Sequence, residues 1–219
     1  SFKYALGNVG KSSDFASHQE FKVGYKLNLK TITNGVFVRD FNSVETPKNK
    51  SKNSISIIFV GNISKWHGLE RLFIGIKNNN SKIKYKLYLV GKKEVFLDLI
   101  NKYDLNRLIN DKIRLTGFKT GYELNELFNK ADFAIGSLGL HRLQIFNGVP
   151  LKHREYLSRG IPFVYSGNDE DIKEEIAPLL YNISPDETPI DFDDLLKFII
   201  IQRKNSVNVS KKLISFAYK

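Results

Sequence analysis

The chain has 219 residues, 42% hydrophobic, 12% aromatic and 26% charged, with a formal net charge of +11. This globular composition excludes disordered, collagen-like and coiled-coil classes, and the lack of cysteine excludes disulfide frameworks, thiolate zinc sites and cysteine nucleophiles. No apolar run approaches the roughly 20 residues that span a bilayer, and no signal peptide opens the chain, so a soluble cytoplasmic protein is expected.

In chain order, residues 1–35 show no clear strand–helix repeat. Residues 42–54 (NSVETPKNKSKNS) are polar, lysine-rich and nearly free of apolar side chains, which is linker chemistry. From there the pattern becomes regular. Ile55–Val60 reads as a buried strand, followed by a helical Leu69, Leu72, Phe73, Ile76 series. Tyr85–Val90 is a second strand, followed by helical Val95 to Tyr103. Ile113–Leu115 precedes a helix through Tyr122, Leu124, Leu127 and Phe128. Phe133–Ile135 is a strand, Leu151–Arg159 a helix and Ile161–Tyr165 a strand. Asp171–Ile176 reads as a short helix and Leu179–Ile183 as the last strand. Strands alternating with helices require a parallel sheet covered on both faces: an α/β, Rossmann-like doubly wound domain. The expected organisation is an N-terminal remnant at 1–41, a linker at 42–54, the α/β domain at 55–205 and a C-terminal helix at 206–219.

The charge is uneven. Residues 1–166 carry +14, residues 167–194 carry −9 and the last 25 carry +6. A basic bulk suits an anionic partner, although 26 lysines and 20 asparagines also fit A/T-rich coding sequence. The methionine count is zero, which is expected of an excised fragment or of a written sequence from which modified methionines were dropped.

In an open parallel sheet, ligands sit outside the carboxyl ends of the strands. The first loop there, Gly61-Asn62-Ile63-Ser64-Lys65-Trp66-His67-Gly68, sets two glycines around a basic turn before a helix, which suits a phosphate. It is not a Walker loop, because no Gly-Lys-Ser/Thr follows. The second runs from Ser137 to Pro162. Asn147-Gly148 is a turn signal and Pro150 opens the next helix, on which Lys152, Glu155 and Arg159 share one face. His141 and Arg142 follow a strand end and should face the crevice. The acidic clusters at Asp169–Asp171 and Asp191–Asp194 read as helix N-terminal acids or solvated faces rather than metal sites.

Several motifs, in order, carry a resemblance: FVGNISKWHG, LYLVG, IRLTGF, ELNELFNKADFAIGSLG and REYLSRGIPFVYS, with ITNGV upstream at Ile32–Val36. Together they resemble the C-terminal, nucleotide-sugar donor-binding domain of GT-B glycosyltransferases, family 4 (group 1). WHGLERL, SLGLHR and LKHREY resemble members of capsular and exopolysaccharide pathways. The resemblance implies retaining, metal-independent transfer from a nucleoside-diphosphate sugar, with no cofactor beyond that donor.

In that family an arginine and a lysine grip the donor diphosphate, and the matching positions here are Asn62 and His67. Imidazole gains charge only below about pH 6.5. Lys65, Arg142 and Lys152 are then the candidates to restore the charge. Of the family's two glutamates, Glu155 matches the one that contacts the ribose, and Asn147 stands where the other holds the donor sugar. The resemblance also implies a glycan or lipid-linked acceptor bound by an N-terminal domain that residues 1–35 are too few to form. The fragment should therefore be inactive alone, its C-terminal helix missing part of its packing partner. Peripheral contact with an anionic membrane, at the inner face of the plasma membrane, fits the charge. A GT-B epimerase or phosphorylase would share the fold. A nucleic-acid module is favoured only by charge and lacks recognition elements, so no nucleic acid partner is expected.

Overall fold

The sheet is built from short apolar runs that bury side chains on both faces. The computed structural model describes residues 8–10, 12–14, 29–32 and 54–217. Its strands and helices are β1 (Asn8–Gly10), β2 (Leu29–Thr31), β3 (Ile55–Val60), α1 (Leu69–Lys77), β4 (Tyr85–Val90), α2 (Lys93–Lys102), β5 (Ile113–Gly117), α3 (Gly121–Lys130), β6 (Phe133–Ile135), α4 (Leu151–Ser158), β7 (Phe163–Ser166), β8 (Tyr181–Ile183), α5 (Phe192–Lys204) and α6 (Ser206–Ala217). β3 to β8 form one parallel sheet in the order β5-β4-β3-β6-β7-β8. This is the doubly wound, Rossmann-like α/β architecture expected from the alternation.

Successive strand residues point to opposite faces, so each strand feeds two cores. On one face Ile55, Ile57, Phe59, Leu87, Leu89, Phe133, Ile135 and Val164 pack with α1, α2 and α5. On the other, Ile58, Val90, Ala134, Phe163 and Tyr165 pack with α3, α4 and α6. β3 and β6 are hydrogen-bonded neighbours, and the chain leaves them in opposite directions across the sheet. Their carboxyl ends are therefore the switch point at which such sheets open a crevice.

Some boundaries differ from expectation. Asp171–Ile176 forms turns rather than a helix, because Asp169 and its partners fix that loop; a single 3-10 turn at Ala177–Leu179 follows, and β8 starts only at Tyr181. Asp191–Asp194 does behave as helix N-terminal acid. Asp191 Oδ1 accepts the Asp194 N–H at 2.9 Å and caps α5, a helix that the apolar Phe198–Ile201 run hides from a strand–helix count. The C-terminal helix packs against this domain. α6 packs on α4, burying Val209 and Leu213, with Gly160 close against Ser210.

Upstream, β1 and β2 form a two-stranded parallel pair, a strand pairing that residues 1–35 do not announce. Residues 33–36 of the ITNGV motif and residues 42–53 of the expected linker lie outside the described residues. Ser13 donates to Glu170, and Asp14 accepts from the loop that precedes α4. No helix among the described residues is long and apolar enough to cross a membrane.

Candidate functional site

At the switch point the loop after β3 and the loop after β6 are pressed together. Gly68 adopts φ +59°, and a Cβ there would lie 2.7 Å from the Leu138 carbonyl carbon and 2.8 Å from Gly139 N, so only glycine fits. Leu138 and Gly139 donate their N–H groups to the His67 and Trp66 carbonyls at 3.1 and 3.0 Å. Between these loops and the start of α4 lies a cleft of about 470 Å³, lined chiefly by Trp66, His67, Ser137, Gly148, Val149 and Lys152, with Leu140, Leu143, Ile145, Pro150 and Leu151 completing an apolar wall.

Lys152 is the cation of this cleft. Its ammonium sits 4.3 Å above the Phe59 ring and 3.4 Å from the Val60 carbonyl, and a Cβ on Gly61 would lie 3.7 Å from it. Burial pulls its pKa from the usual lysine value down to about 7, partly offset by Glu155. The N–H groups of Leu151 and Lys152 open α4 without an acceptor inside the helix, His153 N–H being the first to reach one, the Pro150 carbonyl at 3.0 Å, and they add a positive dipole end beside this ammonium. Together they give this wall of the cleft a positive potential with one titratable charge.

His67 lines the same cleft but is not a second cation. Its Nδ1 accepts the Ser64 N–H at 3.0 Å, so the neutral ring carries its proton on Nε2. Burial and then the nearby Lys152 charge lower its pKa to about 3. The expected gain of charge below pH 6.5 is therefore corrected: His67 offers a neutral N–H donor.

The remaining predicted residues fall elsewhere. Arg142 has four of its five guanidinium donors engaged. It forms a bidentate pair with Glu187 at 2.7 and 2.6 Å, and it donates to Glu70 at 3.0 Å and to the Lys65 carbonyl at 2.9 Å. His141 Nε2 lies 2.8 Å from the same Glu187. Asn62 and Lys65 are exposed and do not line the cleft. Glu155 pairs with Arg159 at 3.0 Å, one turn further along α4, rather than with Lys152. Asn147 donates its backbone N–H to Asp14 and its side-chain Oδ1 accepts from Asn168 Nδ2 at 2.9 Å, so it faces away from the Lys152 cleft.

Two buried networks set this geometry, and neither was read from the sequence. His153, immediately after Lys152, is 1% exposed. Its Nε2 accepts the Ser137 N–H at 3.1 Å while Nδ1 donates to Asp169 Oδ2 at 2.8 Å. Arg154 closes on the same carboxylate at 2.5 Å. Asp169 is thus neither solvated nor a helix N-terminal acid, and it lies just beyond the crevice end of β7. The second network radiates from Arg71 on α1, 2% exposed. Its guanidinium donates to the carbonyls of Leu138 (2.6 Å), Thr188 (2.7 Å) and Ser184 (2.9 Å), tying the loops after β6 and β8 to one helix. Only an apolar-flanked arginine at a helical core position, Leu69-Glu70-Arg71-Leu72, hints at this. At the end of β5, Phe118 and Tyr122 are 74% and 78% exposed, two aromatics beside the crevice end of an edge strand.

Among the described residues, no group of three or more His, Asp or Glu is placed to hold a metal ion.

A family model described as glycosyl transferases group 1 matches residues 40–216. The fold is similar to that of HepE from Anabaena in complex with UDP and glucose, at TM-score 0.69 and 14% identity over 98% of this chain and 59% of that one. It is also similar to sucrose-phosphate synthase from Thermosynechococcus elongatus, at TM-score 0.68 and 14% identity over 97% and 54%. The C-terminal domain of the group 1 glycosyl transferase LpcC from Francisella tularensis matches at TM-score 0.56 and 15% identity, over 83% and 96%. The chain spans about three fifths of the HepE length and just over half of the synthase. No curated protein matches it by sequence.

Proposed function

Because the chain belongs to the group 1 glycosyl transferases, we propose that residues 54–217 form the donor-binding half of a transferase and that the Lys152 cleft receives the diphosphate of a nucleotide sugar. The observation that carries this reading is the Lys152 ammonium set beside the open N–H groups of α4 at the switch point of the sheet. The UDP and UDP-glucose held by HepE agree in ligand class.

Departure of the nucleoside diphosphate builds negative charge on phosphate oxygens. A fixed ammonium and helix N–H groups already aimed into an apolar-walled cleft stabilise that charge without reorganising. His67 Nε2–H adds a neutral donor on the facing wall. On this reading transfer is retaining and needs no divalent metal, the family pair of cations being replaced by Lys152 with His67. Glu155, held by Arg159 and part-exposed, would meet the ribose hydroxyls; Phe118 and Tyr122 would offer ring faces to the base. The acceptor would be a glycan or lipid-linked glycan of capsular or exopolysaccharide type, presented by the remainder of a longer protein, with peripheral contact to an anionic membrane. Without that partner the piece should bind donor but not transfer it.

The test is calorimetric titration of UDP, GDP and ADP with their glucose forms, with and without EDTA. We expect micromolar-to-millimolar binding of one nucleoside diphosphate, unchanged by EDTA. If none binds, or if binding requires magnesium, the reading fails in its ligand or in its metal independence, respectively.

A further inference from the structure

The run Lys82-Ile83-Lys84-Tyr85-Lys86-Leu87-Tyr88 alternates lysine with larger apolar or aromatic residues, a strand pattern in which one face carries charge. Tyr85, Leu87 and Leu89 enter the core with α1, α2 and α5, so Lys84, Lys86 and Tyr88 turn to the opposite face of the sheet, where Tyr88 packs beside the second core. On the edge strand β5, Ile113 lies opposite Leu87 and Arg114 opposite Tyr88, and the Leu87 N–H donates to the Lys112 carbonyl at 2.7 Å. This register sets Lys112 beside Lys86 and Arg114 one step further along, a ladder of cations across two strands. Lys82 and Lys84 are exposed and extend it toward the amino ends of the strands, while Lys86, Lys112 and Arg114 are half-buried.

Like charges set side by side on a strand pair are destabilising unless an acid relieves them. Among the described residues Lys77 pairs with Asp104 and Lys119 with Glu123, but no carboxylate pairs with Lys82, Lys84, Lys86, Lys112 or Arg114. Lys112 lies instead over the Tyr85 ring, 5.3 Å from its centroid. A lysine-rich composition scatters cations over a surface; it does not set them in cross-strand register with no acid between them. The far edge of the sheet has the opposite sign. Residues 82–114, which carry β4 and β5, hold nine basic and four acidic side chains, whereas residues 167–194, which carry β8, hold one basic and ten acidic. The strand order β5-β4-β3-β6-β7-β8 puts these stretches at the two edges, about 24 Å apart at the usual strand spacing, so the molecule is polarised across its sheet.

Resting on the membrane contact proposed above, we infer that the β4–β5 edge is the seat of this domain on an anionic bilayer, with the ladder from Lys82 to Arg114 facing the lipid headgroups. The bilayer supplies the counter-charge that the chain withholds, and long aliphatic stems carry the charged groups of half-buried side chains out to a plane of headgroups. The same surface repels the acidic β8 edge, so one edge only faces down. Tyr88, the ring on this face, packs beside the second core and offers no free platform for the bases of a single-stranded nucleic acid, which favours headgroups. The ladder lies toward the amino ends of the strands and the Lys152 cleft at their carboxyl ends, so a seated domain keeps its cleft open to donor.

The experiment is co-sedimentation of the whole chain with vesicles of neutral phosphatidylcholine and of an equal mixture with phosphatidylglycerol. The parent should bind the mixed vesicles and not the neutral ones, and should release them as salt rises. Each cation removed from the contact should weaken binding about fivefold, so the triple variant Lys84→Gln, Lys86→Gln, Arg114→Gln should lose about 100-fold. Lys84→Gln alone, at an exposed position just before β4, should lose about fivefold. A control that removes the same charge from exposed positions of α5 and α6, Lys204→Gln, Lys211→Gln, Lys212→Gln, should lose less than about threefold. Because the ladder variant relieves like-charge repulsion, its Tm should equal or exceed the parent's, and its UDP affinity should stay within about twofold. Equal losses in the two triple variants, equal binding to neutral vesicles, or ladder-dependent binding of duplex DNA or poly(U) without binding of vesicles overturns the inference. A parent that binds UDP but no vesicle overturns it alone and leaves the diphosphate reading intact. A parent that binds mixed vesicles through the ladder but no UDP overturns the diphosphate reading alone.

Discussion

Arg142 and Lys152 flank the same stretch of chain between β6 and α4, both basic and both near the switch point, yet only Arg142 is surrounded by carboxylates. Arg142 faces two carboxylates and a carbonyl, which take four of its five donors, and Glu187 is held down to about 2 in pKa by the guanidinium and by His141. Lys152 faces a ring, a carbonyl and the positive end of a helix, and its nearest acid, Glu155, is claimed by Arg159. What makes a cation a phosphate ligand is the lack of a resident anion, and that property depends on packing rather than on residue type.

The largest effect that would break this contrast comes from the scaffold beneath Lys152. Asp169 is buried and neutralised by His153 and Arg154. Asp169→Asn takes the shared carboxylate from His153 and leaves the buried Arg154 guanidinium only Asp171, at 3.3 Å, so it should cost about 3 kcal/mol in unfolding free energy, measured by urea titration. The pH dependence has a definite sign. Burial lowers the His153 pKa below the free value in spite of Asp169, so the folded state binds fewer protons there than the unfolded chain. Stability tied to His153 is then present above about pH 6.5 and is lost as the pH falls below it. His67, with its pKa lowered to about 3, adds to the same acid-side loss. Flat stability between pH 7 and 5 would mean that these rings are not held neutral.

Next in size is the cleft charge itself. Lys152→Met should weaken UDP binding by about 1.5–3 kcal/mol, roughly 10- to 100-fold, whereas Arg142→Met should change it by less than about threefold. Equal losses in the two variants would erase the distinction drawn above. Lys152→Arg would sharpen it, because an arginine keeps its charge at every accessible pH.

This comparison also marks what the sequence could and could not carry. The short apolar runs at Ile55–Val60 and Tyr85–Val90 and the Gly61 and Gly68 turns placed the sheet, its switch point and the crevice loops, because burial on both faces needs only local pattern. Which cation reached the cleft was not local. Lys65, Arg142 and Lys152 are equivalent by sequence, and what separates Arg142 from Lys152 is Glu70 and Glu187, distant from Arg142 by 72 and 45 positions. The His153–Asp169 link spans 16 residues, and Asp14 meets Asn147 across 133. No spacing rule reports such partnerships, so Asp169 looked solvated and His67 looked titratable.

A smaller effect follows from the Lys152 pKa of about 7 in the unliganded chain. Bound diphosphate favours the charged ammonium, so UDP affinity should fall as the pH rises from 7 to 9, by about tenfold for each pK unit that binding adds. The same shift has an opposite consequence for stability. Between about pH 7 and 10 the unfolded lysine binds a proton that the folded one does not, so folding gains as the pH rises. Titration at pH 7, 8 and 9, paired with thermal melts, checks both signs. In Lys152→Arg both slopes should flatten.

The smallest effect belongs to the rim. Glu187 is 62% exposed on its side chain, and its pairs with Arg142 and His141 are screened by water. Glu187→Gln should therefore lower stability by no more than about 1 kcal/mol, less at high salt. It has a more informative second consequence. Removing that carboxylate leaves Arg142 with Glu70 and the Lys65 carbonyl, and so frees one edge of its guanidinium. If a resident anion is what keeps Arg142 from serving as a phosphate ligand, Glu187→Gln should raise UDP affinity slightly, by about two- to threefold, and the gain should vanish when Arg142→Met is added. Calorimetry on the single and double variants decides it. An unchanged or lower affinity in Glu187→Gln would place Arg142 out of reach of the cleft on distance alone, and its ion pairs would then be incidental.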